Sequence, residues 1–175
     1  MVHADASNFS AGVSKAEAYE QVLEQAEGLV YDQRNWVCNL ANVAALLWHA
    51  FKSIPEPSPN VNWAGFYVLD PKVPEQLILG PFMGKVACQT IKFGRGVCGK
   101  AAKTAESQIV KDVHAIPDHI ACDDASKSEI VVPVVKDGKV VAVIDVDSAV
   151  VETFDEEDKT ALESLAKLLA EACDW

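Results

Sequence analysis

No run of apolar residues in this chain of 175 approaches the ~20 that a membrane-spanning helix needs. The first residues, Met1-Val2-His3-Ala4-Asp5, have neither the basic start nor the apolar stretch of a secretory leader. These two absences predict a soluble, cytoplasmic protein with no membrane partner. Basic residues are scarce, with 15 Lys and Arg against 26 Asp and Glu and a net charge of −11. Such a chain repels phosphate backbones, which argues against general nucleic-acid binding. The five cysteines, Cys38, Cys88, Cys98, Cys122 and Cys173, contain no C-x-x-C pair, which weakens a structural zinc site. Their odd number, without a leader, weakens a purely structural disulfide framework. Reactive thiols or small buried apolar residues remain. There is no P-loop, and Gly94-x-Gly96-x-x-Gly99 has the letters of a dinucleotide fingerprint without its strand–helix–strand context.

What is present has globular composition, 50% hydrophobic and 23% charged, and the length suits one domain. Residues 1–13 are small and polar without a period, and are expected to form a flexible tail ahead of a domain over 14–175. Ser14-x-x-Glu17 is a capping-box pattern, followed at helical spacing by Tyr19, Val22, Leu23, Ala26, Leu29 and Val30. A second helix is expected over about 34–52, with Cys38 on its apolar stripe. The three prolines of Ile54-Pro55-Glu56-Pro57-Ser58-Pro59 stop it. From Val61 the period changes to two: Val61, Trp63, Gly65, Tyr67 and Leu69 share one side of a strand. Short strands are expected at Gln76–Gly80, Val86–Ile91 and Gln108–Val110, with a short helix near 97–104. A polar loop over 111–128 has the length of a functional segment. Ile130–Val135 and Val140–Asp147 are apolar strands joined by Asp137-Gly138, a strong hairpin signal. Thr153-x-x-Glu156 reads as the cap of a last helix bearing Leu162, Leu165, Ala166, Leu169, Ala172 and, at its end, Cys173. Helices, then a run of strands, then a helix predict an α+β fold with an antiparallel sheet.

Charge is unevenly spread. Residues 81–111 hold six basic residues and one acidic one, in an otherwise acidic chain, and carry Cys88 and Cys98. Nearby cations favour thiolate over thiol where the fold brings them close. Val141, Val143, Asp145 and Asp147 share one side of a strand. Two ionised aspartates among valines are costly unless a cation, proton or donor compensates them. Crowding also raises carboxylate pKa values, so one of them can remain a proton donor.

Two segments carry the most information: Gly80-Pro81-Phe82-Met83-Gly84-Lys85-Val86-Ala87-Cys88, continuing through Gly94-Arg95-Gly96-Val97-Cys98-Gly99, and His119-Ile120-Ala121-Cys122 with Ser128-Glu129-Ile130. On these residues the chain resembles the free methionine-R-sulfoxide reductases, enzymes built on a GAF domain, from Trp36 to about Asp147. The resemblance implies a single GAF domain acting on free methionine (R)-sulfoxide. It also implies recycling by a thioredoxin-type reductant and no metal or organic cofactor. It assigns Cys122 as the attacking thiolate and Cys88 as the resolving thiol, with Cys98 either accepting the disulfide in a relay or itself attacking. It matches Glu129, Asp145 and Asp147 to substrate residues, and Trp63 and Tyr67 to an aromatic wall for the S-methyl group. The 111–128 loop then becomes a lid, and a homodimer is compatible with the sequence.

The chemistry stands on the residues as well. A thiolate attacks a sulfoxide sulfur once its oxygen is protonated, and the resulting sulfenic acid needs a second thiol to condense with. Plainer readings stand beside these. Cys38 and Cys173 read as buried hydrophobes, Trp63 and Tyr67 as core packing, and Asp147 as a turn cap. Asp145 and Asp147 could instead hold a hard cation. His114, His119 and His49 read as loop or surface residues, and the acidic run from Glu152 to Asp158 as a helix N-terminus. The main alternative function is a GAF domain that senses a ligand or oxidant without turnover. A zinc-dependent hydrolase is a weaker one.

Overall fold

The computed structural model describes residues 8–115 and 125–175. Among them are four helices: α1 (Lys15–Val30), α2 (Trp36–Ser53), α3 (Gly96–Thr104) and α4 (Glu156–Ala172). Six strands, β1 (Val61–Leu69), β2 (Gln76–Gly84), β3 (Thr90–Lys92), β4 (Gln108–Val110), β5 (Ser128–Lys136) and β6 (Lys139–Ser148), form one antiparallel sheet. Its order is β3-β2-β1-β6-β5-β4. The arrangement is α+β, as the element order predicts.

The two-residue period of the strands sorts their side chains into two layers. Ala64, Phe66 and Val68 of β1, Ala142, Ile144 and Val146 of β6, and Ile130, Val132 and Val134 of β5 pack with α1, α2 and α4 in the main core. The alternate residues face the other way. Trp63, Tyr67, Val131 and Val143 meet Val97, Cys98, Ala101 and Ala102 of α3 in a second, smaller core. Asp137 and Gly138 both have positive φ, 50° and 75°, as a two-residue hairpin between β5 and β6 requires. That hairpin fixes the β5–β6 register, and so the face on which Glu129, Asp145 and Asp147 emerge.

Local chemistry sets the helix ends. Ser14 and Glu17 form the reciprocal capping box at α1. At α4 the box is Asp155 with Asp158, two residues later than the Thr153–Glu156 pattern implies. Thr153 is buried instead, its hydroxyl donating to Ser148 Oγ at 2.6 Å. Nor is the acidic run only a dipole partner. Asp158 is fully buried and accepts from Tyr19 Oη at 2.8 Å and Lys15 Nζ at 2.7 Å, tying α1 to α4.

Three more expectations need correction. Part of the predicted tail is packed: Phe9 and Val13 lie against the main core, and Gly12 N–H donates to Ser53 O at 2.9 Å. β2 runs on to Gly84, through a register shift opposite Gly65–Tyr67. Pro81, which has no N–H to give a ladder, falls in that irregularity, and the residues expected to start the next strand at Val86 become a loop. Cys38 is exposed, because the buried stripe of α2 runs through Leu40, Val43, Ala44, Leu47 and Phe51. Each residue turns a helix by ~100°, which carries Cys38 off that stripe. Cys173 is buried, as the pattern predicts, and accepts from Asn39 Nδ2 at 3.4 Å. Among the described residues no helix is long and apolar enough to cross a membrane.

Candidate functional site

The face of the sheet opposite the main core carries the chemistry. β6 lies between β1 and β5, and its register sets Trp63, Asp147 and Glu129 on one rung and Gly65, Asp145 and Val131 on the next. Side chains on neighbouring rungs of one face are about 7 Å apart or closer, so three carboxylates from two strands converge. α3 closes the group from above, and Cys98 in its first turn points at them, with Sγ 3.9 Å from Glu129 Oε1.

These residues line one cavity of about 330 Å³, a volume suited to a small molecule. Trp63, Tyr67, Glu129, Asp145, Asp147, Cys88 and Cys98 all border it. Seven of the eight site residues singled out in the sequence therefore meet in one place. The eighth, Cys122, lies outside the described residues, as do His119 and half of the expected 111–128 lid. Cys88 is disulfide-bonded, while Cys98 is a free thiol.

Burial sets the electrostatics. Glu129 and Asp145 are each 6% exposed. Burial, and then the charges of Asp145 and Asp147, push the Glu129 carboxyl well above the usual range. Burial raises Asp145 to about 7, against the opposing hydrogen bond with Cys98. The Cys98 thiol is driven up by burial and then by Asp145 and Glu129, and the Tyr67 phenol by burial and then by Asp145. The group therefore holds protons at neutral pH that isolated carboxyls would have released. Among the described residues, the buried Asp145 Oδ1 and Trp63 Nε1 have no hydrogen-bond partner.

Such a site can do two things. It can donate a proton to an oxygen entering the cavity, or it can offer ionised oxygens to a cation. Cys98, Glu129 and Asp145 are the described residues suited to a metal, with one donor atom from each inside 4.8 Å of the others. An ammonium group would satisfy the same oxygens.

A third aromatic ring, Phe82, backs the wall without bordering the cavity. Trp63 stacks on Tyr67 at 5.8 Å and 21°, and on Phe82 at 5.1 Å and 13°. Gly65 leaves no open space between Trp63 and Tyr67, because a Cβ there would strike Phe82 Cβ and Cα. Glycine is needed so that β2 can cross closely. Phe82 was not among the sequence candidates; its one signal is the spacing from Pro81, which marks where the β2 register shifts. Gly99 has a similar role, since a side chain there would meet Lys92 O. The glycine-rich turn thus seats α3 against β3 and forms no phosphate loop. His114 is exposed in a short 3₁₀ turn at Val113–Ala115 and does not border the cavity.

The sequence profile of the GAF domain family matches residues 41–174. A free methionine-R-sulfoxide reductase of Saccharomyces cerevisiae is 55% identical over 172 residues, covering 98% of this chain and 94% of its own. A solved structure described as a GAF domain is 53% identical with a TM-score of 0.94, and covers 100% of this chain and 98% of that one. A free methionine-R-sulfoxide reductase of Neisseria meningitidis, solved in complex with its substrate, is 44% identical with a TM-score of 0.84. The match covers 94% of this chain and 93% of that one.

Proposed function

Since the chain belongs to the GAF-domain family of free methionine-R-sulfoxide reductases, we propose that it reduces free methionine (R)-sulfoxide to methionine through a cysteine sulfenic acid. The observation that carries this reading is the buried, proton-holding carboxyl group beside an aromatic wall and thiols, all in one small cavity. A sulfoxide is a poor electrophile until its oxygen takes a proton. Glu129 and Asp147 donate to or polarise that oxygen, while Asp145 completes the acidic group that receives the ammonium. Trp63 and Tyr67, which border the cavity, accept the polarised S-methyl group on their faces.

The balance is simple. A cysteine sulfur forms a bond to the oxygen that the substrate loses, giving methionine and a sulfenic acid. A second thiol displaces water from the sulfenic acid to form a disulfide. A dithiol of thioredoxin type then reduces that disulfide. We assign attack to Cys122 and resolution to Cys88, whose engagement in a disulfide supports a place in this exchange.

One observation favours a second order of events. Cys98 Sγ lies against Glu129, where an activated sulfoxide would sit. There the thiol can pass its proton to a carboxyl oxygen as the same group protonates the substrate, so no preformed thiolate is needed. Single-turnover reactions of Cys88→Ser, Cys98→Ser and Cys122→Ser, read by mass, separate the two. The attacking residue is the one whose loss abolishes methionine release. If all three variants release a stoichiometric burst of methionine from racemic free methionine sulfoxide, the cysteine mechanism is wrong. If wild-type protein with dithiothreitol consumes neither epimer, the chain is a ligand-binding GAF domain.

A further inference from the structure

Three elements bring one donor each to a single point in the cavity. Cys98 comes from the first turn of α3, Glu129 from β5 and Asp145 from β6. All three are buried and border the cavity, and one ligating atom of each lies within 4.8 Å of the other two. A thiol beside two carboxyls is not by itself a site. The second observation is Asp145 Oδ1, on a side chain more than nine-tenths buried, which has no hydrogen-bond partner among the described residues. A buried oxygen in that state calls for something to satisfy it. Asp147 adds another carboxyl to the lining of the same cavity, so a doubly charged cation gains more here than any neutral donor.

We propose that Cys98, Glu129 and Asp145 form an inhibitory binding site for a thiophilic divalent cation of the zinc type. Sulfur decides the class of ion. Mg²⁺ and Ca²⁺ take oxygen ligands, whereas Zn²⁺ accepts thiolate and carboxylate together. The spacing suits it as well. Zinc binds sulfur at about 2.3 Å and carboxylate oxygen at about 2.0–2.2 Å, which sets the donors of a tetrahedral site roughly 3.5 Å apart. Cys98 Sγ and Glu129 Oε1 are already 3.9 Å apart, so side-chain rotation closes the remainder. The fourth position opens on the cavity and is left to water. Each ligand gives up any proton it carries as it binds the ion. The inhibitory role rests on the reductase reading. A Glu129 oxygen bound to zinc no longer donates to or polarises the sulfoxide oxygen, and a zinc-bound Cys98 sulfur is withheld from thiol exchange. The ion also occupies the space that the sulfoxide must enter, so turnover follows the level of free zinc without a change of fold.

The test is Zn²⁺ binding by the disulfide form of the protein, in which Cys88 is already engaged and Cys98 is a free thiol. Equilibrium dialysis against a zinc buffer should leave one ion per chain, even with Mg²⁺ in about 100-fold excess. Cys98→Ser should weaken binding more than about 100-fold, because loss of an outer-shell partner alone costs about 10–100-fold. Cys38→Ser, at an exposed thiol outside the cavity, should still retain the ion. Cobalt(II) bound to wild-type protein should give the near-ultraviolet absorption of a sulfur-to-metal bond. No ion retained by wild-type protein, unchanged zinc affinity in Cys98→Ser, or displacement of zinc by Mg²⁺ overturns the site. The cobalt band is read on wild-type protein, so its absence overturns the site even if Cys98→Ser fails to fold. Single-turnover methionine release by prereduced protein should fall as zinc is added; release unchanged at saturating zinc overturns the inhibitory role. Zinc retention involves no turnover, so the metal site and the reductase reading can fail independently.

Discussion

Replacing Asp145 with asparagine should make the protein more stable and less active, by an amount that depends on pH. In the folded chain this carboxyl titrates at about 7, against 3.8 for an ordinary aspartate, because burial penalises its charge. Between those values the folded state holds a proton that the unfolded state has lost. Stability therefore falls as pH rises through that window, and the contribution present below 3.8 is gone above about 7. Moving from 3.8 to about 7 at 1.36 kcal/mol per pH unit is worth about 4 kcal/mol. Asparagine has nearly the same shape and cannot ionise. Asp145→Asn should match wild type near pH 4 and exceed it at pH 8 by about 2–4 kcal/mol, the lower figure applying where water entering the cavity screens the charge. Urea titrations of both proteins at pH 4, 6 and 8 measure the difference directly. A variant that is less stable at pH 8, or a difference that does not change with pH, refutes the argument that burial of this charge dominates. Turnover should fall in the same variant, the pattern expected where a site is built at the expense of stability.

Glu129→Gln keeps the neutral shape of the protonated acid but cannot give up a proton; kcat should fall about 10²-fold with KM little changed, as for a lost general acid. The wild-type rate should also decline on the alkaline side as the coupled carboxyls lose their protons, and Glu129→Gln should lack that limb in a pH–rate profile. Gly65→Ala places a methyl group on Phe82 Cβ and Cα, so a loss of about 1–3 kcal/mol in chemical denaturation is expected, as for overpacking. Asp158→Ala leaves Lys15 and Tyr19 without their shared acceptor between α1 and α4, and should cost about 3–5 kcal/mol by the same measurement. A loss under 1 kcal/mol would show that water replaces the carboxylate there.

Most of the scaffold was legible because it depends on local physics. The capping residues Ser14 and Glu17, the turn residues Asp137 and Gly138, and the change of period at Val61 each act within a few residues. Errors arose where one local signal competed with another. The strand expected to end at Gly80 runs on through Pro81 to Gly84, because the irregular register with β1 accommodates the proline. Thr153 reads as a cap, yet its hydroxyl is drawn to Ser148 in the interior and Asp155 takes that place. Cys38 sits beside an apolar stripe, and a single residue of phase decides exposure.

The linear order of residues was enough to place Trp63 and Tyr67, or Asp145 and Asp147, on a common side of a strand, because alternation is a property of one extended backbone. It also sufficed to group Glu129 with the aspartates through family resemblance. Pairing of β6 with both β1 and β5, and the docking of α3 above them, could come only from the packed sheet. Phe82 stacks on Trp63, Cys98 meets Glu129, and Arg95 borders the same cavity as the acids, because segments far apart in the chain pack together. The raised carboxyl pKa values have the same origin. Desolvation is produced by everything that surrounds a group, and no stretch of sequence around Glu129 or Asp145 contains it.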